Sequence, residues 1–128
     1  MYELRWWAGV LGGVFLLLSS LAHGVLGGAA LREELTGAGV PEELREAVSL
    51  GWSLGGWAMA VFGLVALATF GRWLRGGRPD ALPAQLVGAA YLLYGLWAFA
   101  VSGWEPFFLN FPVTGLLVLQ AALAPPRA

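Results

Sequence analysis

Four long apolar runs separated by short charged segments make up almost the whole chain. They cover residues 6–31, 47–71 and 81–104, and a fourth extends from Pro106 up to Arg127. All seven cationic and all eight acidic side chains lie outside these runs. A helix needs about 20 apolar residues to cross the hydrocarbon core of a bilayer. Because the runs lack the alternation of barrel strands, the pattern predicts transmembrane α-helices.

The predicted fold is an all-α membrane protein, a bundle of four antiparallel transmembrane helices in a single domain covering residues 1–128. We place the spans at about 5–31, 48–70, 82–102 and 106–123. Short connections make consecutive helices antiparallel neighbours. The first run has a signal-like segment around Ser20, but it stays apolar as far as Leu31, so we expect an uncleaved span. Since Pro112 interrupts the fourth span, we expect a kinked helix beginning near Pro106.

The longest connection, residues 32–46, contains a pattern typical of a helix start. Pro41 suits the first helical position, and Glu42 and Glu43 would face the positive end of the helix dipole. We therefore predict a short extramembrane helix between spans 1 and 2 that merges into span 2.

Composition agrees with a membrane protein and excludes several classes of function. The chain is 59% hydrophobic and 12% charged, whereas about a quarter of a soluble domain is charged. The absence of cysteine excludes disulfides, thiol catalysis and thiolate metal sites. With a net charge of −1 and no basic stripe, we expect no nucleic-acid partner.

The distribution of arginine predicts the orientation in the bilayer. Four spans would place both termini and the 71–80 link on one side of the membrane. That side holds five arginines: Arg5, Arg72, Arg75, Arg78 and Arg127. The other side holds Arg32, Arg45 and six glutamates. By the positive-inside rule we expect cytoplasmic termini, in what we interpret as a bacterial plasma membrane.

Glycine spacing suggests how the helices associate. The chain contains 19 glycines, and several repeat every four residues, as do Gly24 and Gly28, or Gly51 and Gly55. Small residues at this spacing let helix backbones approach closely in lipid. Our first hypothesis is therefore a protein without catalytic activity that packs as a homo-oligomer or as an accessory subunit of a larger membrane complex.

The second hypothesis is a site for an apolar small molecule, such as a quinone, a lipid or haem, that is bound or transported near His23. This is the only histidine, and an ionisable residue within a membrane segment indicates function. At the same predicted depth lie the other candidate ligand-binding residues, Trp52, Ser53, Trp57, Trp104 and Asn110. Trp52 and Trp104 also fit an interfacial aromatic belt, and a hydrogen bond between helices would equally account for His23.

Metal and cofactor chemistry has few candidate ligands. Haem would need a second axial group beside His23, and that group would be Met59 or a residue of a partner protein. A zinc or copper site is not expected, because one histidine without cysteine offers too few ligands.

Overall fold

The structure is a computed structural model that describes residues 2–124, so Arg127 of the arginine count lies outside the described residues. The elements are α1 (Tyr2–Leu21), a π-helical segment (Ala22–Gly27), α2 (Gly28–Gly37), α3 (Glu42–Leu74), α4 (Leu82–Val101), a 3₁₀ turn (Pro106–Leu109) and α5 (Asn110–Ala122). No β-strand occurs within residues 2–124, and the predicted all-α class is confirmed.

Three helical stretches are long and apolar enough to cross a membrane, as an integral membrane protein requires. They are Leu4–Gly37, Glu42–Leu74 and Leu82–Val101. The stretch Pro106–Ala122 is apolar but shorter, and its crossing as a fourth span stays a prediction. Large apolar side chains such as Leu50 and Leu93 are exposed on the outside of the protein, where lipid would solvate them.

The connection between the first two long stretches is shorter than predicted, because residues 28–37 continue the first helix as α2. The helix predicted to begin at Pro41 merges into the second span as expected, since α3 is one helix from Glu42 onward. The break is confined to a few residues, because Gly39 takes a positive φ of 69° that ends α2. Pro41 directly precedes α3, which begins where the sequence pattern predicted.

The last helical stretch begins at Pro106, as the sequence predicted, and the kink expected at Pro112 stays a prediction. Pro106 opens the 3₁₀ turn, and Pro112 is the third residue of α5. The 3₁₀ turn runs directly into α5, and the change to α geometry occurs at Asn110, two residues before Pro112.

One end of the bundle is tightly packed, and we call it the closed end. There lie the largest fully buried side chains of residues 2–124, Leu16, Phe70, Trp73 and Val118, which belong to one hydrophobic core. The indole Nε1 of Trp6 donates to the carbonyl of Ala124 at 2.8 Å, which joins the start of α1 to the end of α5.

Glycines allow the helices to approach closely in two pairs. Between α1 and α3, a Cβ built on Gly63 would lie 2.9 Å from the Gly13 carbonyl oxygen. Between α4 and α5, a Cβ on Gly95 would lie 2.4 Å from the Pro112 nitrogen. Both distances are shorter than carbon atoms tolerate, so only glycine fits. α1 also packs on α5, whereas α3 and α4 touch much less.

Candidate functional site

The π-helical segment places His23 where α1 approaches α3. In this segment the N–H of Gly28 bonds to the carbonyl oxygen of His23, one residue further along than in an α-helix. The same oxygen accepts a hydrogen bond from the indole Nε1 of Trp52 at 2.8 Å. π-helical turns inside longer helices are frequent at functional sites, and this one contains the only histidine of the chain.

His23 and Trp52 form a reciprocal pair. The imidazole Nε2 lies 2.9 Å from the Trp52 carbonyl oxygen, and because a carbonyl only accepts, Nε2 carries the proton and donates. The rings stack with centroids 4.1 Å apart and planes 6° from parallel. Two glycines make room for the pair. A Cβ on Gly55 would lie 3.1 Å from Nε2, and one on Gly27 would lie 2.9 Å from the indole.

A cavity of about 340 Å³ lies beside this pair, in the gap between α3 and α4. Its walls are His23, Gly55, Ala58, Met59, Phe62, Ala90, Tyr91, Tyr94 and Phe111. Ligand pockets in proteins usually measure about 300–1,000 Å³ and are mostly apolar with a few polar groups. The cavity has this character and is large enough for a small molecule.

Aromatic rings in edge-to-face contact shape one wall of the cavity. Phe62 meets Tyr91 with centroids 6.0 Å apart and planes at 86°. Tyr94 meets Phe111 at 5.5 Å and 84°. Such pairs are each worth about 0.5–1.5 kcal/mol beyond their buried area, so they hold α3, α4 and α5 around the cavity.

A polar cleft of about 790 Å³ lies on the other side of the stacked pair, between α2 and α3. Arg32, Glu33, Thr36, Trp52 and Ser53 are among the residues that line it. Because Trp52 lines the cleft and His23 lines the cavity, the stacked pair separates a polar compartment from an apolar one.

The structure brings only part of the predicted site together. His23 and Trp52 are in contact, and the Ser53 hydroxyl lines the cleft and donates to the Leu50 carbonyl. Trp57 is 73% exposed and Trp104 is 67% exposed. Neither of them, nor Asn110, lines the cavity, and their part in ligand binding stays a prediction.

Sequence reasoning missed most of the cavity wall. One face of α3 carries Gly55, Ala58, Met59 and Phe62. Of these, only Met59 was considered as a ligand from the sequence, and only for haem. Ala90, Tyr91 and Tyr94 face them from α4. The available signal was the helical spacing of small residues opposite aromatic ones, which is equally typical of ordinary packing.

Metal ligation finds little support at this site. The Nε2 of His23 already donates to a carbonyl, so only Nδ1 could bind the iron of a haem. Residues 2–124 contain no group of three or more His, Cys, Asp or Glu side chains that could hold a metal ion.

No protein family, no curated protein and no solved structure matches this chain.

Proposed function

We propose that this protein is a four-span membrane protein that binds an apolar small molecule in the cavity between α3 and α4. The proposal rests on the cavity itself, which has an aromatic wall and lies beside the stacked pair of His23 and Trp52. Binding or carriage of such a molecule requires no catalytic group, which agrees with the few reactive side chains of the chain.

The position of α5 supports a fourth span. Its end lies beside the start of α1 through the bond from Trp6 to Ala124, so it returns to the end of the bundle where α1 begins. A 3₁₀ turn rises about 2.0 Å per residue and an α-helix about 1.5 Å. The stretch Pro106–Ala122 would thus measure about 27 Å, close to the roughly 30 Å of a hydrocarbon core.

The charge distribution supports cytoplasmic termini, in a bacterial plasma membrane. The closed end of the bundle carries the exposed side chains of Arg5, Arg72, Arg75 and Arg78. The positive-inside rule assigns such an end to the cytoplasm. His23 and the cavity would then lie in the outer half of the bilayer.

Entry of the molecule would occur from the lipid. Ala90 and Tyr94 line the cavity and remain exposed, and α3 and α4 make few contacts with one another. An apolar compound dissolved in the bilayer would therefore reach the site by lateral diffusion, without passing through water.

Association as a homo-oligomer or as an accessory subunit stays a prediction. Of the glycines whose spacing motivated it, Gly28 and Gly55 face the side chains of Trp52 and His23 within the protein. Gly24 and Gly51 have no heavy atom within 4 Å of a built Cβ and would be available to a partner.

Photo-crosslinking with a diazirine-bearing fatty acid tests the proposal on the purified full-length protein in nanodiscs. We expect saturable labelling of peptides containing Met59 or Tyr91. In Ala58→Phe the added ring fills the cavity, and labelling should fall by about tenfold or more. The matched control is Ala68→Phe, because Ala68 lies on the outside of α3. Non-saturable labelling, or equal loss in both variants, would overturn the proposal.

A further inference from the structure

Tyr91 carries a hydroxyl group at the centre of a membrane helix. It is the tenth residue of α4, which runs over Leu82–Val101, so it lies about 15 Å from either helix end at 1.5 Å per residue. A tyrosine side chain cannot bridge that distance to reach water. Within residues 2–124 no hydrogen bond of its hydroxyl to another group is found, and the oxygen is not enclosed by protein atoms.

An unpartnered hydroxyl in hydrocarbon is costly, because no water is available to replace the missing partner. Buried tyrosine hydroxyls usually have a partner. Since Tyr91 lines the cavity, the natural partner is a hydrogen-bond acceptor on whatever occupies it. The hydroxyl of Tyr94, one turn along the same helix, likewise bonds to no group within the described residues.

The remainder of the wall favours a flat ring rather than a chain. Phe62, Tyr91, Tyr94 and Phe111 present aromatic faces and edges to the cavity. Aromatic groups pack on one another in offset or edge-to-face geometry. The Met59 side chain adds a flexible thioether, which also makes favourable contacts with rings.

We propose that the preferred ligand is a planar ring compound bearing carbonyl oxygens, of the quinone class, and that Tyr91 donates a hydrogen bond to one of those carbonyls. This inference rests on the proposed function and narrows it. An acyl chain would fill the same space but would leave the Tyr91 hydroxyl without a partner, so it would bind without this selectivity.

Competition against the diazirine-bearing fatty acid tests the inference, with menadione as the ring compound and palmitate as the chain. In the wild-type protein both should reduce labelling. In Tyr91→Phe, which keeps the ring and removes only the hydroxyl, the menadione concentration for half-displacement should rise about fivefold, as expected for one net hydrogen bond. Palmitate should displace the label as in wild type.

The matched control is Leu93→Ala, on the same helix but exposed and outside the cavity wall, and it should leave both competitors unchanged. Displacement by palmitate but not by menadione would overturn this inference and leave the proposed function intact. Equal shifts for both competitors in Tyr91→Phe would also overturn it, because the residue would then only shape the cavity. If no labelling is saturable, the result would instead contradict the proposed function.

Discussion

At the scale of single residues, the site depends on the contact between His23 and Trp52. Each side chain donates to the backbone carbonyl of the other residue, at 2.9 and 2.8 Å, and the rings stack. A polar side chain that is exposed to lipid finds no hydrogen-bond partner there. A histidine at this depth therefore needs hydrogen-bond partners within the protein. The pair thereby connects the π-helical segment to α3, and of its two side chains His23 lines the cavity.

Replacing Trp52 by phenylalanine should separate the hydrogen bond from the stacking. Trp52→Phe keeps an aromatic ring against His23 but removes the indole N–H. We expect the free energy of unfolding in mixed micelles to fall by about 0.6–1 kcal/mol, the usual value of such a bond between membrane helices. Circular dichroism during titration with sodium dodecyl sulphate measures this change.

Trp57→Phe is the matched control for that experiment, because Trp57 lies on the same helix and is 73% exposed. Its effect should stay within about 0.5 kcal/mol, as for most surface substitutions. Equal stabilities for the two variants would mean that the bond from Trp52 to His23 contributes nothing to the fold.

At the scale of helices, close contacts at glycine define which pairs pack together. Gly95 faces the backbone of Pro112, and Gly115 faces the Leu92 nitrogen at 2.4 Å from a built Cβ. Backbone atoms cannot move aside as a flexible side chain can, so α4 and α5 are in contact along their length. No comparable contact joins α3 to α4, which is why the cavity opens between these two helices.

Gly95→Ala should therefore destabilise the protein strongly. The added methyl group would lie 2.3 Å from Pro112 Cδ, so α4 and α5 must separate. We expect a loss of about 1–3 kcal/mol, typical of overpacking, and a lower thermal unfolding temperature in detergent.

The contrasting variant is Gly51→Ala in α3, where a built Cβ meets nothing within 4 Å. It should leave stability unchanged or raise it by up to about 1 kcal/mol, because alanine favours helix more than glycine does. A loss of stability in Gly51→Ala as large as that in Gly95→Ala would show that helix contact is not the cause.

At the scale of the whole molecule, the large buried side chains and the cavity lie in different parts of the bundle. The closed end contains the buried Phe70 and Trp73 and carries the exposed arginines. The cavity lies between α3 and α4, which make few contacts with one another. Under the proposed binding function, the orientation in the bilayer would decide which leaflet supplies the ligand.

Cysteine labelling tests the proposed orientation, and the absence of native cysteine makes each introduced thiol unique. In intact bacterial cells we expect Glu34→Cys and Glu105→Cys to react with a membrane-impermeant maleimide. Arg78→Cys and Arg127→Cys should react only after the membrane is disrupted. Labelling of Arg127→Cys in intact cells, with Arg78→Cys still protected, would contradict a fourth crossing.

Part of the candidate site could be predicted from the sequence. The depth of His23 and Trp52 follows from their positions within apolar runs, and both proved to be neighbours. That Trp57 and Trp104 lie away from the cavity did not follow from the sequence, because rotation about a helix axis decides whether a tryptophan faces the protein or the lipid. In an almost uniformly apolar helix no amphipathic pattern reveals that rotation.

The sequence by itself determined the helical class and the membrane-spanning composition of this protein, because charges are excluded from hydrocarbon however the helices pack. It also placed the start of α3, since Pro41 and the following glutamates act locally. Only the tertiary structure decided that α1 packs on α3 and α4 on α5, and that Met59 and Tyr91 face one cavity. Those outcomes depend on contacts between distant residues, such as the close approach of Gly95 to Pro112, which leaves no room for a methyl group, and no local pattern encodes such contacts.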